Sequence, residues 1–425
     1  MAVIKVFEFS HLAIDQTFTQ KHFEQLVRYN EIHGNKFFNV GNKRIYLKNY
    51  VGVIQVGNLV IEILPKSDKS KNEETKNKWH NALIYMLHIC GYLRIESITR
   101  ADLKLQNLTL IDLFYKIFLD EVNQIVHQGL IRKYRYKTDN RPYLKGKLLF
   151  NKHISENYLH KEMFYTSAQV YDHNNVYNQI LLKALRVLKI TGKGNSHYST
   201  ICNLIFCFDE IGNIEVNDKT FDSLSFARNN MKYKSAITLA RLILQNYSPD
   251  LKNGLNNVIG LLFDMNTLFE KVVYKLLKPY ECIYQSSQLN LSPQYSKKFW
   301  NSKTIRPDIL GEYCTKKSSE KESFIIDTKW KRPHDGNPTD DDLKQMFAYN
   351  IQFGAHQSIL LYPDCDDRKQ KNGFYGKSKA VAPEYANHSC STFYIDLFNS
   401  NGKINKNAGD ALFKFLLENK NKIEI

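Results

Sequence analysis

Arg306-Pro307-Asp308-Ile309 and, after a polar insert, Phe324-Ile325-Ile326-Asp327-Thr328-Lys329-Trp330-Lys331 decide how this chain reads. An apolar run ends in an acid, one spacer and a lysine, and a second acid stands upstream beside a proline. Side chains alternate across a strand, so Asp327 and Lys329 share one face while Thr328 points to the other. The insert between Leu310 and Phe324 is mostly Lys, Ser and Glu, the composition of a hairpin end in water. The two strands then return antiparallel and bring Asp308 alongside Asp327. Two carboxylates and one ammonium at one spot suit a Mg2+-dependent phosphodiesterase. Oxygen ligands hold the hard cation, and a lysine orients water or offsets charge at phosphorus.

Asp308, Asp327 and the backbone carbonyl of Thr328 are therefore the expected metal ligands, with Mn2+ as the alternative ion. Glu270, within the helical pattern Leu268-Phe269-Glu270-Lys271-Val272-Val273, is a candidate outer ligand. Gln345, on a helix expected over 341–349, is expected to face the site and to position Lys329 or the substrate. A lysine-rich chain produces Asp-x-Lys triplets by chance, and alone this one would mean an ion pair on a surface strand. The apolar residues before it put it at the end of a buried strand, where a charge without a purpose is costly.

Working outward, the order from Met265 is helix, three strands, helix, strand, a late strand and a closing helix. The strands are expected near 281–285, 305–310, 323–330, 358–362 and 392–397, and the last helix over 411–418. Toward the N-terminus, Val3 to Phe9 alternates as a strand and Thr19 caps a short helix that ends before Gly34. Short strands follow at 37–38, 45–47, 51–56 and 59–64, separated by the turn dipeptides Gly41-Asn42 and Gly57-Asn58. Lys66 to Lys78 reads as a solvated loop. Amphipathic helices are expected over 79–90, 110–126, 176–188, 201–208, 235–247 and 265–277.

After Gly129, Arg132, Lys133, Arg135, Lys137, Arg141, Lys145, Lys147 and Lys152 interleave with Tyr134, Tyr136, Tyr143 and Phe150. Two arrangements fit: a phosphate-tracking surface, or a solvated strand face with its tyrosines in the core. The second is the default. Arg132, Arg135, Lys145 and Lys147, with Arg306 and Lys331 near the acids, are the candidate nucleic-acid contacts.

Composition agrees with an anionic partner. Lys and Arg number 59 against 43 Asp and Glu, a net charge of +16. The seven cysteines are odd in number and scattered without zinc spacing, which points to free thiols in a reducing cytoplasm. Neither a signal peptide nor an apolar run long enough to span a bilayer is visible, so a soluble cytoplasmic protein is expected. Gly192-Lys193-Gly194-Asn195 follows no apolar strand and lacks the ending of a nucleotide loop. The chain itself carries no NTPase signature.

These stretches resemble the PD-(D/E)xK nuclease superfamily and, within it, the McrC family of nuclease subunits from McrBC modified-DNA restriction systems. The Arg306-Pro307-Asp308 and Asp327-Thr328-Lys329-Trp330-Lys331 pair is the specific match. Leu268-Phe269-Glu270 and Asp342 to Tyr349, with Gln345 and Tyr349, match beside it, and Ile61 to Lys66, Leu144 to Lys147 and Asn178 to Leu185 match farther toward the N-terminus, all in the expected order along the chain. The resemblance implies an α+β chain. A β-rich N-terminal docking domain over 1–160 and a helical linking region over 161–262 lead to an α/β restriction-endonuclease-like core over 263–425. It further implies double-stranded DNA as substrate and a hexameric McrB-type AAA+ GTPase as partner. That partner binds the GTP and recognises the modified cytosine, and this chain stimulates its turnover. A stand-alone endonuclease and a chiefly assembling, GTPase-activating subunit are the alternatives.

Overall fold

The computed structural model describes residues 2–65, 72–93, 109–192, 196–248, 257–282, 287–315, 321–331, 333, 337–364, 371–375, 388–399 and 404–420. Two larger sheets organise it. In the first, Ala2–Phe7 runs parallel to Leu59–Leu64, which pairs antiparallel with Tyr50–Val56. Val258–Asp264 then joins Tyr50–Val56, and Tyr247–Ser248 closes that edge. A strand from the stretch expected to be a helical linker thus completes the N-terminal sheet. Its last residue, Asp264, caps the helix Met265–Leu277 by accepting from the Thr267 amide at 2.9 Å.

The local signals of the N-terminal region hold. Thr19 is the N-cap of the helix Gln20–Ile32, closed by a reciprocal bond from its amide to His22 at 3.2 Å. Gly57 takes a φ of 56° in the turn between paired strands. In the other turn Gly41 still pairs with Arg44, so the two loop residues are Asn42 and Lys43, one position later than expected. A small additional strand, His11–Ala13, covers Arg44–Leu47.

Two expectations fail here. The charged run before Trp79 is not all loop, because the helix starts at Glu73 and runs to Ile89; residues 66–71 lie outside the described residues. Asn72 accepts from the Thr75 amide at 2.9 Å, and Glu73 and Glu74 sit favourably in the first turn. The polar face of this helix has the composition of a loop. The tyrosines after Gly129 are not in the core either. On the three-stranded sheet of Lys133–Arg141, Phe164–Asp172 and Lys147–Leu148, Tyr134 is 69% and Tyr136 75% exposed.

The second sheet has six strands in the order Ser287–Pro293, Ile309–Thr315, Lys321–Thr328, Ala355–Asp364, Ser389–Asp396, Lys371–Phe374. The strand expected near 281–285 begins later. A 3-10 turn, Lys278–Cys282, continues the preceding helix and carries a Lys278–Glu281 ion pair, while 283–286 lie outside the described residues. Pro307 has no N–H to donate, so the strand expected over 305–310 is divided. Lys303–Ile305 pairs with Lys297–Trp300 in a separate hairpin, and Ile309–Thr315 enters the sheet. The strands around the polar insert are also longer than expected, since pairing runs to Cys314 and Lys321; 316–320 lie outside the described residues.

Alternation along the central strand divides the core. Phe324 and Ile326 join the large apolar cluster with Phe269 and Val272 of the helix Met265–Leu277 and Leu412 of the helix Ala408–Lys420. Ile325 faces the other way, against Met346, Tyr349 and Phe353 of the helix Asp340–Phe353. The sheet is therefore covered on both faces, and its central strands read as continuous apolar runs for that reason. That large cluster continues into Trp79, Phe114 and Leu181, so helices and both sheets share one core.

Gly311 is paired with Phe324, whose ring lies where a Cβ would be built, its nearest carbon at 2.1 Å. Gly311→Val should therefore destabilise the chain by about 1–3 kcal/mol, the usual range for overpacking. Urea denaturation followed by circular dichroism measures it, and an unchanged midpoint would contradict the packing.

Candidate active site

The hairpin of Ile309–Thr315 and Lys321–Thr328 pairs Ile309 with Ile326, so Asp308 and Asp327 emerge side by side where the pairing ends. The Asp308 carboxylate accepts from both the amide and the hydroxyl of Thr328, each at 2.7 Å. Thr328, expected to face away, thus holds the neighbouring acid with its side chain as well as its backbone. Asp327 is 3% exposed, and its Oδ2 lies 2.7 Å from the Lys329 ammonium. The Lys329 amide extends the ladder to the carbonyl of Leu361 at 2.8 Å, which fixes the backbone that presents the ammonium.

A second tier holds this first one. Lys329 Nζ donates to Gln345 Oε1 at 2.9 Å, and Gln345 Nε2 donates to the Tyr349 hydroxyl at 2.8 Å. Tyr349 donates in turn to the carbonyl of Arg306 at 3.0 Å, so the chain of bonds returns to the residues before Asp308. Asp342 lies in the first turn of the helix capped by Thr339, 2.6 Å from Lys331 and 3.7 Å from Lys329. Of these, Asp342 carried no assigned role in the sequence reading; an acid in a helix's first turn is common enough to pass as a cap.

Glu270 projects from the helix packed against the central strand and accepts from Gln294 Nε2 at 2.6 Å. Gln294 also gives its amide to the carbonyl of Asp308 at 2.9 Å and has a φ of 53°. Like Asp342, it has no role in the sequence analysis. Its position depends on a left-handed turn after Pro293 that no local periodicity signals.

Electrostatics tie the acids together. Burial, then the Asp308 charge, pushes Glu270 up to about 7. The same two causes raise Asp327 above the ordinary carboxylate range, while Lys329 opposes them. Burial works against the Lys329 charge, but Asp327, Asp342 and Asp308 override it and hold the ammonium above its usual value. The donor set suits a hard divalent cation: three carboxylates, one deeply buried, with their charges in mutual opposition. Their oxygens are engaged with Thr328, Gln294 and Lys329, and among the described residues no three His, Cys, Asp or Glu stand as a ready metal-holding cluster.

The remaining candidates are dispersed. Arg306 is exposed next to Asp308, and Lys331 is paired with Asp342. Arg132, Arg135, Lys145 and Lys147 lie on or beside the separate three-stranded sheet, where Arg135 is held by Asp172 in a two-pronged ion pair at 2.8–3.1 Å.

Fold and site together define an α/β protein with a carboxylate–lysine cluster at the open end of a two-faced sheet. The chain belongs to the family described as McrBC 5-methylcytosine restriction system component, whose family model matches residues 45–363. It is similar to the type IV methyl-directed restriction enzyme EcoKMcrBC of Escherichia coli K12, 24% identical over 319 residues covering 69% of this chain and 89% of the relative. Among solved structures it resembles a chain of the half-complex of Thermococcus gammatolerans McrB AAA+ hexamers with bound McrC. That likeness has a TM-score of 0.65 at 19% identity, over 97% of this chain and 100% of the other. No helix among the described residues is long and apolar enough to cross a membrane.

Glu270 supplies a test that needs no metal. Its carboxyl is raised from 4.5 to about 7 in the fold, so the folded state holds the proton more tightly. Its contribution to stability therefore falls as pH rises through that window. Glu270→Gln should melt about 1–3 °C higher than the native chain at pH 8 in EDTA, a figure discounted for the carboxylate's access to water. The advantage should vanish below the ordinary glutamate range. Identical melting at pH 8 would contradict the charge crowding.

Proposed function

We propose that this chain is the nuclease subunit of a restriction complex and hydrolyses DNA phosphodiesters at the Asp308–Asp327–Lys329 site. The observation that carries the reading is the convergence of a buried Asp327, its Lys329 at 2.7 Å and Asp308 on the adjoining strand. In a core of PD-(D/E)xK type, Asp308, Asp327 and the Thr328 carbonyl would hold Mg2+, with Mn2+ as the alternative, and Glu270 would support it from the helix. A bound divalent cation supplies Lewis-acid polarisation of the phosphate and lowers the pKa of water. Lys329 orients the attacking water or steadies charge on the phosphoryl oxygens. Gln345, itself fixed by Tyr349, keeps the Lys329 ammonium in place. Thr328 holds Asp308 in the orientation from which it can ligate.

The partner follows from the relatives. The similar archaeal structure is of McrB AAA+ hexamers with bound McrC, and we take this chain to fill the McrC position against a GTP-hydrolysing ring. The exposed rings of Tyr134, Tyr136, Tyr143, Phe150, Tyr158 and Tyr171 gather on one three-stranded sheet and its adjoining helix. An apolar surface of that kind is what a protein partner covers. It lies within or beside the stretch expected to dock. Modified-cytosine recognition and GTP binding then reside in the partner, and double-stranded DNA is the shared substrate.

Asp327→Asn in the assembled complex should cut methylated plasmid at least about 100-fold more slowly, the scale of losing a charge that acts in the transition state. GTP turnover by the partner should remain stimulated. Gel analysis of cleavage alongside phosphate release reads both, and cleavage at the native rate would refute the assignment. Tyr134→Ala with Tyr136→Ala should do the reverse in the first instance, weakening stimulation of GTP turnover.

A further inference from the structure

The hairpin of Lys297–Trp300 and Lys303–Ile305 has no part in either larger sheet. It leaves the nuclease sheet after Pro293 and returns directly into Arg306-Pro307-Asp308. Between Gln294 and Arg306 the sequence carries Lys297, Lys298, Lys303 and Arg306 and no acid. A register shift between Lys298 and Trp300 and a φ of 45° at Asn301 shape its tip. There Phe299 is 57% and Trp300 66% exposed, whereas the other two tryptophans, Trp79 and Trp330, are 0% and 8% exposed.

Its base, by contrast, is fastened. Lys297 Nζ donates to the carbonyl of Gln352 at 2.8 Å, and Gln352 Nε2 donates to the carbonyl of Lys298 at 3.1 Å. The Tyr295 ring meets Phe353 edge-on with centroids 6.1 Å apart. Gln352 and Phe353 belong to the helix that also presents Gln345 to Lys329. A basic ribbon with aromatic residues at its tip is thus anchored to the helix that presents Gln345 and runs on directly into Asp308.

We propose that this hairpin is a DNA-contacting prong. Lys298, Lys303 and Arg306 take backbone phosphates beside the scissile bond, and Trp300 packs against bases that it unstacks or that the motor has distorted. The inference rests on the nuclease reading and adds to it the element that seats the substrate. The occupant is chosen by charge: a stretch with four cations and no acid suits a polyanion, and its chain continues into a candidate metal ligand. An aromatic residue at such a place stacks on bases without regard to sequence, consistent with recognition lying in another chain.

The test uses the full chain, with the partner ring and GTP for cleavage and without them for binding. Since Trp300 is the exposed tryptophan, a short DNA duplex should quench the red-edge fluorescence of the Asp327→Asn chain, and adding Trp300→Phe should remove that quench. The triple variant Lys298→Ala, Trp300→Ala, Lys303→Ala should lose about tenfold or more in DNA affinity and cleavage. Its salt slope should fall by about two, one for each phosphate contact removed, with GTP turnover by the partner still stimulated. Native cleavage with an unchanged salt slope in that variant would overturn the prong while leaving the nuclease reading intact. So would lost stimulation with full DNA affinity, since the hairpin would then face the motor. A native complex that never cuts, yet shows the Trp300-dependent quench, would leave the prong standing and sink the nuclease.

Discussion

The rest of the site depends on keeping one carboxylate out of water. Asp327 ends an apolar strand and is 3% exposed, in surroundings where an isolated charge costs several kcal/mol. Lys329 answers it at 2.7 Å, but a single ammonium on a flexible stem is a weak answer unless it is held. It is held by Gln345, Gln345 by Tyr349, and Tyr349 by the backbone of Arg306. The requirement to satisfy one buried charge therefore specifies residues at the end of one strand, on one helix and in the segment leading into Asp308.

Lys329 is followed by the residue that joins this arrangement to the rest of the molecule. Trp330 donates its indole N–H to Glu8 at 2.7 Å, just beyond the first strand of the N-terminal sheet. Its ring meets Trp79 edge-on with centroids 6.0 Å apart, and Phe269 at 5.1 Å. Phe269 precedes Glu270, so one indole packs beside both the lysine and the outer acid of the site. The N-terminal sheet, the helix Glu73–Ile89 and the six-stranded sheet meet at that ring. Together with Val258–Asp264, which completes the first sheet and caps the Glu270 helix, this makes the site a product of the whole chain.

What the sequence made legible was local. Asp327 and Lys329 lie two apart on a strand, and that spacing alone puts them on one face. Asp308 needed one further step, an antiparallel return across the polar insert, and the pairing of Ile309 with Ile326 supplies it. The cap at Thr19 and the turn at Gly57 are equally local and equally readable. Illegible features were those decided by tertiary placement. Periodicity gave Tyr134 and Tyr136 a common face but could not say whether anything covers it, and among the described residues nothing does so fully. The polar residues after Asn72 were helical because a cap and two glutamates start the helix there, a signal that the long run of charges obscured.

Gln294 marks the sharpest limit of that reading, and it ties the basic hairpin to the carboxylates. Its backbone adopts a left-handed conformation that disfavours a side-chain-bearing residue, a cost of order 1 kcal/mol. Two bonds are gained by it, from its amide to Asp308 and from its side chain to Glu270, together with the turn that releases the chain into the basic hairpin. A glycine would adopt that φ without strain but would leave Glu270 without its donor. The strained residue is therefore retained where the strand that builds the sheet must stop, and where the ribbon presenting Trp300 must begin. The carboxylate cluster and the basic hairpin share one stretch of covalent chain, so the geometry of one constrains the reach of the other.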